Sequence, residues 1–374
     1  MNMDGGDIIR HMAVEFYICI PVYNSEKFLD RCISSILGQN HMSWHLVLVD
    51  DGSVDSSGDI CDRYAESDDR IRVIHQNNQG QIRARNNAVR TARQMSANDK
   101  ADNVYVLFVD SDDRLKEGAL DTLFKAIEGN GYPDMVVYGS DKVSEAGILL
   151  ERYDGSKYFH GTLTDRKDIL KTVIAPVKPN YCSLWSKATK IGLFDGDGYD
   201  EELLDMRWGE DAIQSFELFC RSDSAVFLDS ALYEYTINHK SVTHTLDFRK
   251  GIADTIRGNA YIGNLLESEL TDAEMQPFYE DAADKLLSMI SGPMVSTRLA
   301  EKEKLALLKS TAEDESCREY ILCRQKRHRS LSLMAEGEYG RALKSIQMWS
   351  IGQFFLFAYL KTVRFISGRF RKSS

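Results

Sequence analysis

Three short acidic clusters are the groups in this chain most able to do chemistry. Asp50-Asp51-Gly52-Ser53 follows an apolar run ending at Val49, and Asp110-Ser111-Asp112-Asp113 follows one ending at Val109. Glu210-Asp211 follows Gly209 and opens a stretch in which Ile213, Phe216 and Phe219 share helical spacing. Gathering carboxylates is costly unless a cation or hydrogen-bond donors compensate. Asp-Ser-Asp offers hard oxygen ligands that suit Mg2+ or Mn2+, and such ions usually also take substrate phosphate oxygens. Taken singly, each cluster also reads as a polar turn whose Asp and Ser cap the next helix. Two of them at adjacent strand ends favour a site.

The elements that must position these clusters alternate in period. Short apolar runs at Phe16 to Ile20, Leu46 to Val49, Ile71 to Ile74, Val104 to Val109 and Met135 to Tyr138 read as buried strands. Between them, Phe28, Leu29, Cys32, Ile33, Ile36 and Leu37 fall on one helical face, as do Leu120, Leu123, Phe124 and Ile127. Ile60 and Tyr64 mark a short helix, and Arg83 to Met95 a more polar one. This alternation predicts an α/β, doubly wound, mostly parallel sheet with helices on both faces. In such sheets ligands lie beyond the carboxyl ends of the strands, which is where both aspartate clusters fall. The first strand ends in Pro21-Val22-Tyr23-Asn24, with Asn24 or Ser25 placed to cap the next helix. No G-x-G-x-x-G follows it, which disfavours a dehydrogenase-type dinucleotide site. From Phe248 to about Glu338 the pattern is helical, and Pro277 and Pro293 are expected to punctuate helix ends.

PVYN, DDGS, NNQGQIRARNNA and VDSDD, in that order and each after a strand, resemble the nucleotide-binding half of the family 2 glycosyltransferases of GT-A fold. The bacterial surface-polysaccharide members are the nearest in kind. The resemblance covers residues 14–245 and implies an inverting transfer of a sugar from a nucleotide-diphosphate donor, by family habit a UDP-sugar, to an acceptor hydroxyl. Pro21, Tyr23, Asn24, Asp50, Asp51, Gly80, Arg85, Asp110 and His239 would then line the donor side. Asp51 would meet the base, and His239 would lie on a loop closing over the diphosphate. Asp112 would be the principal contact of a Mn2+ or Mg2+ ion, with Asp110 holding ribose or sugar, or the metal through water. Arg90 is expected on a solvated face. Glu210-Asp211 resembles the family's Glu-Asp motif, with Asp211 as base and Glu210 beside it; otherwise both acids simply open a helix. A sugar hydroxyl is a poor nucleophile, so such a base is needed. Tyr181 to Lys187 resembles an acceptor-side segment, in which Trp185 would stack on a sugar and Lys187 meet a phosphate.

Three parts are expected: a catalytic domain over 14–245, a helical region over 246–340 and a basic amphipathic tail over 341–374. The net charge is −11, which argues against a nucleic-acid partner. From Arg318 to Ser374, however, twelve Lys/Arg face three Asp/Glu. That segment also carries Trp349, Phe354, Phe355, Phe357, Tyr359 and Phe365 beside basic residues. Such a pattern fits a helix lying on an anionic membrane surface, with packing on protein as the alternative. Seven scattered cysteines and no apolar leader in Met1 to Glu15 fit reduced, cytoplasmic usage, peripheral on the inner face of the membrane. The expected partners are the nucleotide-sugar and a glycan or lipid-linked acceptor. Two competing readings are an inactive sugar-nucleotide-binding module, which missing carboxylates would favour, and a nucleotidyltransferase, whose glycine-rich basic first loop is not present here.

Overall fold

The computed structural model describes residues 14–41, 43–97, 103–175, 181–194, 201–238, 248–295, 299–314, 317, 321 and 328–348. The chain divides into two units, Met1–His244 and Thr245–Ser374.

The first unit is built on one mixed sheet. Its first half is parallel: β1 (Val14–Val22) lies between β2 (Trp44–Asp50) and β4 (Asn103–Phe108), and β3 (Ile71–His75) pairs outside β2. The full order is β3-β2-β1-β4-β9-β6-β10-β5, with β5 Arg114–Leu115, β6 Met135–Ser144, β9 Lys187–Lys190 and β10 Ala225–Ile237. β9 runs antiparallel to both β4 and β6, whereas β10 runs parallel to β6. Short strands β7 (Leu149–Glu151) and β8 (Gly161–Leu163) pair with β6 and β10.

The unbroken apolar runs are explained by burial on both faces. Phe16, Ile18, Ile20 and Val22 point to one face of β1 and join a core with Leu46 and Leu48. Helices α1 (Leu29–Leu37), α2 (Ser57–Ser67) and α4 (Ala119–Gly129) cover that face through Leu29, Cys32, Ile33, Ile36, Ile60, Leu120 and Leu123. Tyr17, Cys19, Val47 and Val49 point to the other face and are also buried. Helix α3 (Gln81–Ser96), which contacts β1 and β2, covers them with Ile82, Ala84, Ala88 and Ala92. Each fully buried Ile or Leu of this kind stabilises the fold by roughly 1.5–3 kcal/mol. Two further helices, α5 (Arg166–Val173) and the short α6 (Glu201–Leu204), precede α7 (Glu210–Arg221), which leads directly into β10.

The second unit is helical: α8 (Phe248–Glu267), α9 (Asp272–Val295), α10 (Glu301–Glu313) and α11 (Arg329–Ala335). Pro277 does not end a separate helix as expected, because α9 runs through it, whereas Pro293 lies in the last turn before Val295. The true start of α9 is Thr271, whose N–H and hydroxyl both donate to the Glu274 carboxylate. Pro277 therefore sits in the second turn, where the helix forgoes one ladder bond but keeps Met275, Leu286 and Ile290 in the core. Part of the tail expected over 341–374 falls on described residues. Residues 339–348 are helical, Ala342, Leu343 and Ile346 are buried, and Gln347 donates to the Met294 carbonyl. The aromatic and basic stretch from 349 onward lies outside the described residues. Among the described residues no helix is long and apolar enough to cross a membrane.

Candidate active site

The loops that follow β1 and β2 are laced together. Asp51 donates its N–H to the Val22 carbonyl at 2.8 Å. Asn24, in the left-handed region, accepts from the Val54 N–H at 2.9 Å, while its own N–H donates to the Ser53 hydroxyl. Glu26 and Asp55 do the same across the gap, accepting from the N–H groups of Ser56 and Glu26 respectively. Pro21 pairs with Val49 at a point where β1 has run past its register with β4, so a missing N–H costs little there. Tyr23 is half exposed at the rim.

Asp50 and Asp51 face different ways. The Asp50 carboxylate accepts from the Ser53 N–H and is 2.9 Å from His75 Nδ1. His75 Nε2 is in turn 2.9 Å from Asp62, and these two hydrogen bonds, that to Asp50 foremost, raise the imidazole above its ordinary pKa. Asp51 is 4 % exposed and accepts from Gln76 Nε2 and from the N–H groups of Gln79 and Gly80. Three of its roughly four lone-pair sites are thereby used to shape the 76–80 loop. Gly52 makes that loop possible: its φ is 72°, and a Cβ there would sit 2.8 Å from the Asn78 nitrogen.

The cluster after β4 separates by role. Asp113 is buried and accepts from the Tyr233 hydroxyl at 2.8 Å and the Thr236 N–H at 2.6 Å. It ties the loop to β10 and so is structural. The Ser111 hydroxyl lies 2.6 Å from that of Ser25, which joins this loop to the first. Asp112 accepts from Asn238 Nδ2, and its carbonyl accepts from Arg31. Burial first, then repulsion from Asp211 and Asp112, pushes Asp110 up to about 7 even though Arg85 pulls it down. Burial likewise raises Asp112. Two half-buried carboxylates on one loop, both raised by desolvation, are a fitting pair of ligands for a hard divalent cation. Among the described residues no group of three His, Cys, Asp or Glu is placed to hold an ion, so phosphate and water oxygens would have to complete the shell.

Arg85 joins this cluster to the third. It projects from α3, is 1 % exposed, and donates through Nη1 to the Asp211 carboxylate. The same nitrogen is 3.6 Å from Glu210, and Nη2 is 3.4 Å from Asp110. Its Nε–H is buried without a partner. Gly209, with φ 80°, turns the chain into α7 and leaves Glu210 and Asp211 in its first turn. Burial, reinforced by Asp211 and partly offset by Arg85, pushes Glu210 up to about 7.

The structure thus brings Arg85, Asp110, Glu210 and Asp211 together, with Asp112 on the adjoining loop. Arg90 is exposed. Two expectations need correction. Trp185 does not offer a face to a sugar: it is 4 % exposed, and its ring stacks on Tyr233 at 4.6 Å and 9°. Lys187 does not reach out to a phosphate: it is 1 % exposed and donates to the Ser183 carbonyl and the Ser215 hydroxyl. Burial, with the Arg85 charge adding to it and Cys182 and Asp211 opposing, pushes its ammonium down to about 7. His239 lies outside the described residues. Reading the sequence missed His75, Tyr233, Thr236 and Asn238 as partners. Signals were present: His75 follows the strand ending at Ile74, and the other three lie in the stretch from Tyr233 that resembles the family's tyrosine-rich strand and following loop.

The chain is similar to known glycosyltransferases. Residues 17–186 match the family model described as glycosyl transferase family 2. The chain is 31% identical over 236 residues to the glycosyltransferase GlyA of Streptococcus pneumoniae, matching 60% of this chain and 31% of that protein. It is 31% identical over 234 residues to the uncharacterized glycosyltransferase EpsJ of Bacillus subtilis, matching 60% of this chain and 62% of EpsJ. A Campylobacter jejuni protein named as a GalNAc(5)-diNAcBac-PP-undecaprenol beta-1,3-glucosyltransferase is 25% identical over 68% of this chain and 74% of its own length. The chain therefore spans between about a third and three fifths of GlyA and EpsJ. Among solved structures, residues 1–349 of S. aureus TarS, in complex with UDP-GlcNAc, superpose with a TM-score of 0.66 at 17% identity. That likeness covers 90% of this chain and 92% of TarS 1–349, and concerns the fold.

Proposed function

We propose, from the match of residues 17–186 to the glycosyl transferase family 2 model, that the chain transfers a sugar from a nucleotide-diphosphate donor to a glycan hydroxyl in bacterial glycan assembly. The observation that carries the reading is the placement of Arg85, which touches both the donor-side carboxylate Asp110 and the pair Glu210-Asp211. A displacement at an anomeric carbon needs a base on one side of that carbon and a neutralised leaving group on the other. Arg85 spans those two requirements.

In this reading Asp211 takes the proton of the acceptor hydroxyl. The oxygen forms its bond to the anomeric carbon as the bond to the diphosphate breaks, and the nucleoside diphosphate leaves with the electron pair. Attack opposite the leaving group inverts the centre. Arg85 orients the Asp211 carboxylate, and its unpartnered Nε–H is a further donor for an incoming anion. Asp112 and Asp110 would hold a divalent cation, which when bound supplies charge to the departing diphosphate. Asp51 shapes the 76–80 loop for the base and ribose.

A UDP-sugar is the proposed donor, since the similarly folded TarS was solved with UDP-GlcNAc. A lipid-linked glycan is the proposed acceptor, following the printed name of the Campylobacter relative. The basic aromatic stretch at the end of the chain supports docking on the inner face of a membrane. One observation favours a second reading, a sugar-nucleotide-binding module without turnover: Asp211 is already engaged by Arg85.

Thermal stabilisation and donor hydrolysis across a panel of nucleotide-sugars, with and without Mn2+, test the proposal. A metal-dependent shift accompanied by hydrolysis supports transfer. A shift without hydrolysis or transfer to any glycan supports the binding module, and no shift at all removes the donor site.

A further inference from the structure

We infer that a cleft beside β6 and β7 is the subsite for an acidic sugar of the acceptor; this rests on the glycosyl-transfer reading above. The cleft has a volume of about 140 Å³ and opens to solvent, and its walls include Tyr138, Lys142, Arg152, Tyr153, Tyr158 and Trp185. Tyr153 and Tyr158 stack on each other at 5.6 Å and 19°, and Gly139 is bare because the Tyr153 ring occupies the place of its Cβ. Aromatic rings interleaved with polar groups suit a saccharide, which has both apolar faces and hydroxyl edges.

Two groups at the cleft lack partners. The Tyr138 hydroxyl is buried in the wall, on a side chain 2 % exposed, and makes no hydrogen bond. Buried hydroxyls are nearly always satisfied, so an exception at a cavity wall points to a bound group. The second is Arg152. Lys142 is paired with Glu151 at 2.9 Å and Lys157 with Asp154 at 3.1 Å, which cancels their charges. Arg152 is exposed and makes no hydrogen bond or ion pair among the described residues. Its guanidinium is the cleft cation that no carboxylate hydrogen-bonds, with Asp141 near enough to feel its charge, and its fork matches a carboxylate or a phosphate.

Trp185 connects the cleft to the reaction. It lines the cleft, and its ring stacks on Tyr233, whose hydroxyl donates to Asp113 and accepts from the Asp110 N–H. A sugar in the cleft is therefore separated from the Asp110–Asp113 loop by the Trp185 and Tyr233 rings. A molecule bound so close to the transfer centre, but outside the donor loops, belongs to the acceptor.

The test uses the full chain and three probes observed by saturation-transfer NMR: glucuronate, glucose 6-phosphate and glucose. At least one acidic sugar is expected to bind about tenfold or more tightly than glucose, the worth of one charge-assisted hydrogen bond. The tighter of the two acids identifies the anion as carboxylate or phosphate. Arg152→Ala should erase the preference, and Tyr138→Phe should weaken all binding roughly threefold to tenfold. Both variants should keep the UDP-GlcNAc stabilisation, which shows that they fold. Equal binding of glucose and the acids, or a preference that survives R152A, overturns the inference. So does the absence of sugar binding in a chain that still responds to UDP-GlcNAc, and that outcome leaves the transfer reading standing. Acid-selective binding lost in R152A, in a chain that responds to no nucleotide-sugar, would support the cleft and count against transfer.

Discussion

Arg85 and Asp211 stand 126 residues apart in sequence and share a hydrogen bond in the fold. The arginine comes from α3, beside the donor loops, and the aspartate from the first turn of α7. The contact makes the position of the proposed base depend on the donor half of the sheet.

Replacing Arg85 by Met should therefore do more than weaken donor binding. It leaves Asp110, Glu210 and Asp211 together without a counter-charge, a loss of about 3–5 kcal/mol for a buried network. Urea unfolding of the purified variant checks this. A midpoint unchanged from the parent chain would show that the three acids are neutral or hydrated without Arg85.

Asp211→Asn keeps the hydrogen-bonding shape but cannot accept the proton. Donor stabilisation should persist, while single-turnover transfer falls about 10²–10⁴-fold. Full transfer by this variant would assign the base elsewhere. Asp112→Ala should instead abolish the Mn2+-dependent part of donor stabilisation and leave the metal-free part.

His75 supplies a pH dependence of stability. Its hydrogen bonds to Asp50 and Asp62 raise its pKa above the ordinary 6.5 on folding, so the native state binds the proton more tightly. The stabilisation is fully present below pH 6.5 and fades as pH rises through the native value. His75→Gln should flatten this profile and lower Tm by about 1–3 °C on the acidic side only, because the ring is half exposed and solvent screens the pair. Melting curves across the neutral range read the effect, and parallel profiles for the two chains would remove it.

Gly52→Ala forces a side chain into the left-handed region and against the Asn78 nitrogen. A cost of about 1–3 kcal/mol is expected. Nucleotide-sugar affinity should fall with it, since the displaced loop is the one Asp51 holds. A destabilised variant with parental donor affinity would detach that loop from the donor site.

Much of the donor half was legible because its signals are local. Ile18 and Leu48 sit in unbroken apolar runs, and the residues after Val49 and Val109 fall at strand ends by arithmetic alone. The irregular stretch from Glu151 to His244 hid its architecture for the opposite reason. β9 is four residues long and inserted antiparallel between β4 and β6, a pairing set by contacts far along the chain. Trp185 and Lys187 were misplaced on the same account. Whether a Trp faces a ligand or a Tyr233 ring, and whether a Lys reaches solvent or Ser215, depends on tertiary neighbours that spacing does not encode. The role of Asp113 was hidden inside its own cluster, since four acidic and hydroxyl residues in a row look alike until β10 arrives to claim one of them.

Within the sheet, only the four residues of β9 lie between the strands that carry the donor loops and β6, which walls the cleft. β5 adds a second stitch at the far edge, through Leu115 and Tyr233. The β6–β7 turn is nonetheless bonded to α1 and the turn before it, where Lys27 pairs with Glu145 and Arg31 donates to both the Glu145 and the Asp112 carbonyls. A change in that turn is therefore felt at the Asp112 loop, and a chimaera exchanged at this join has to carry Lys27 and Arg31 with it.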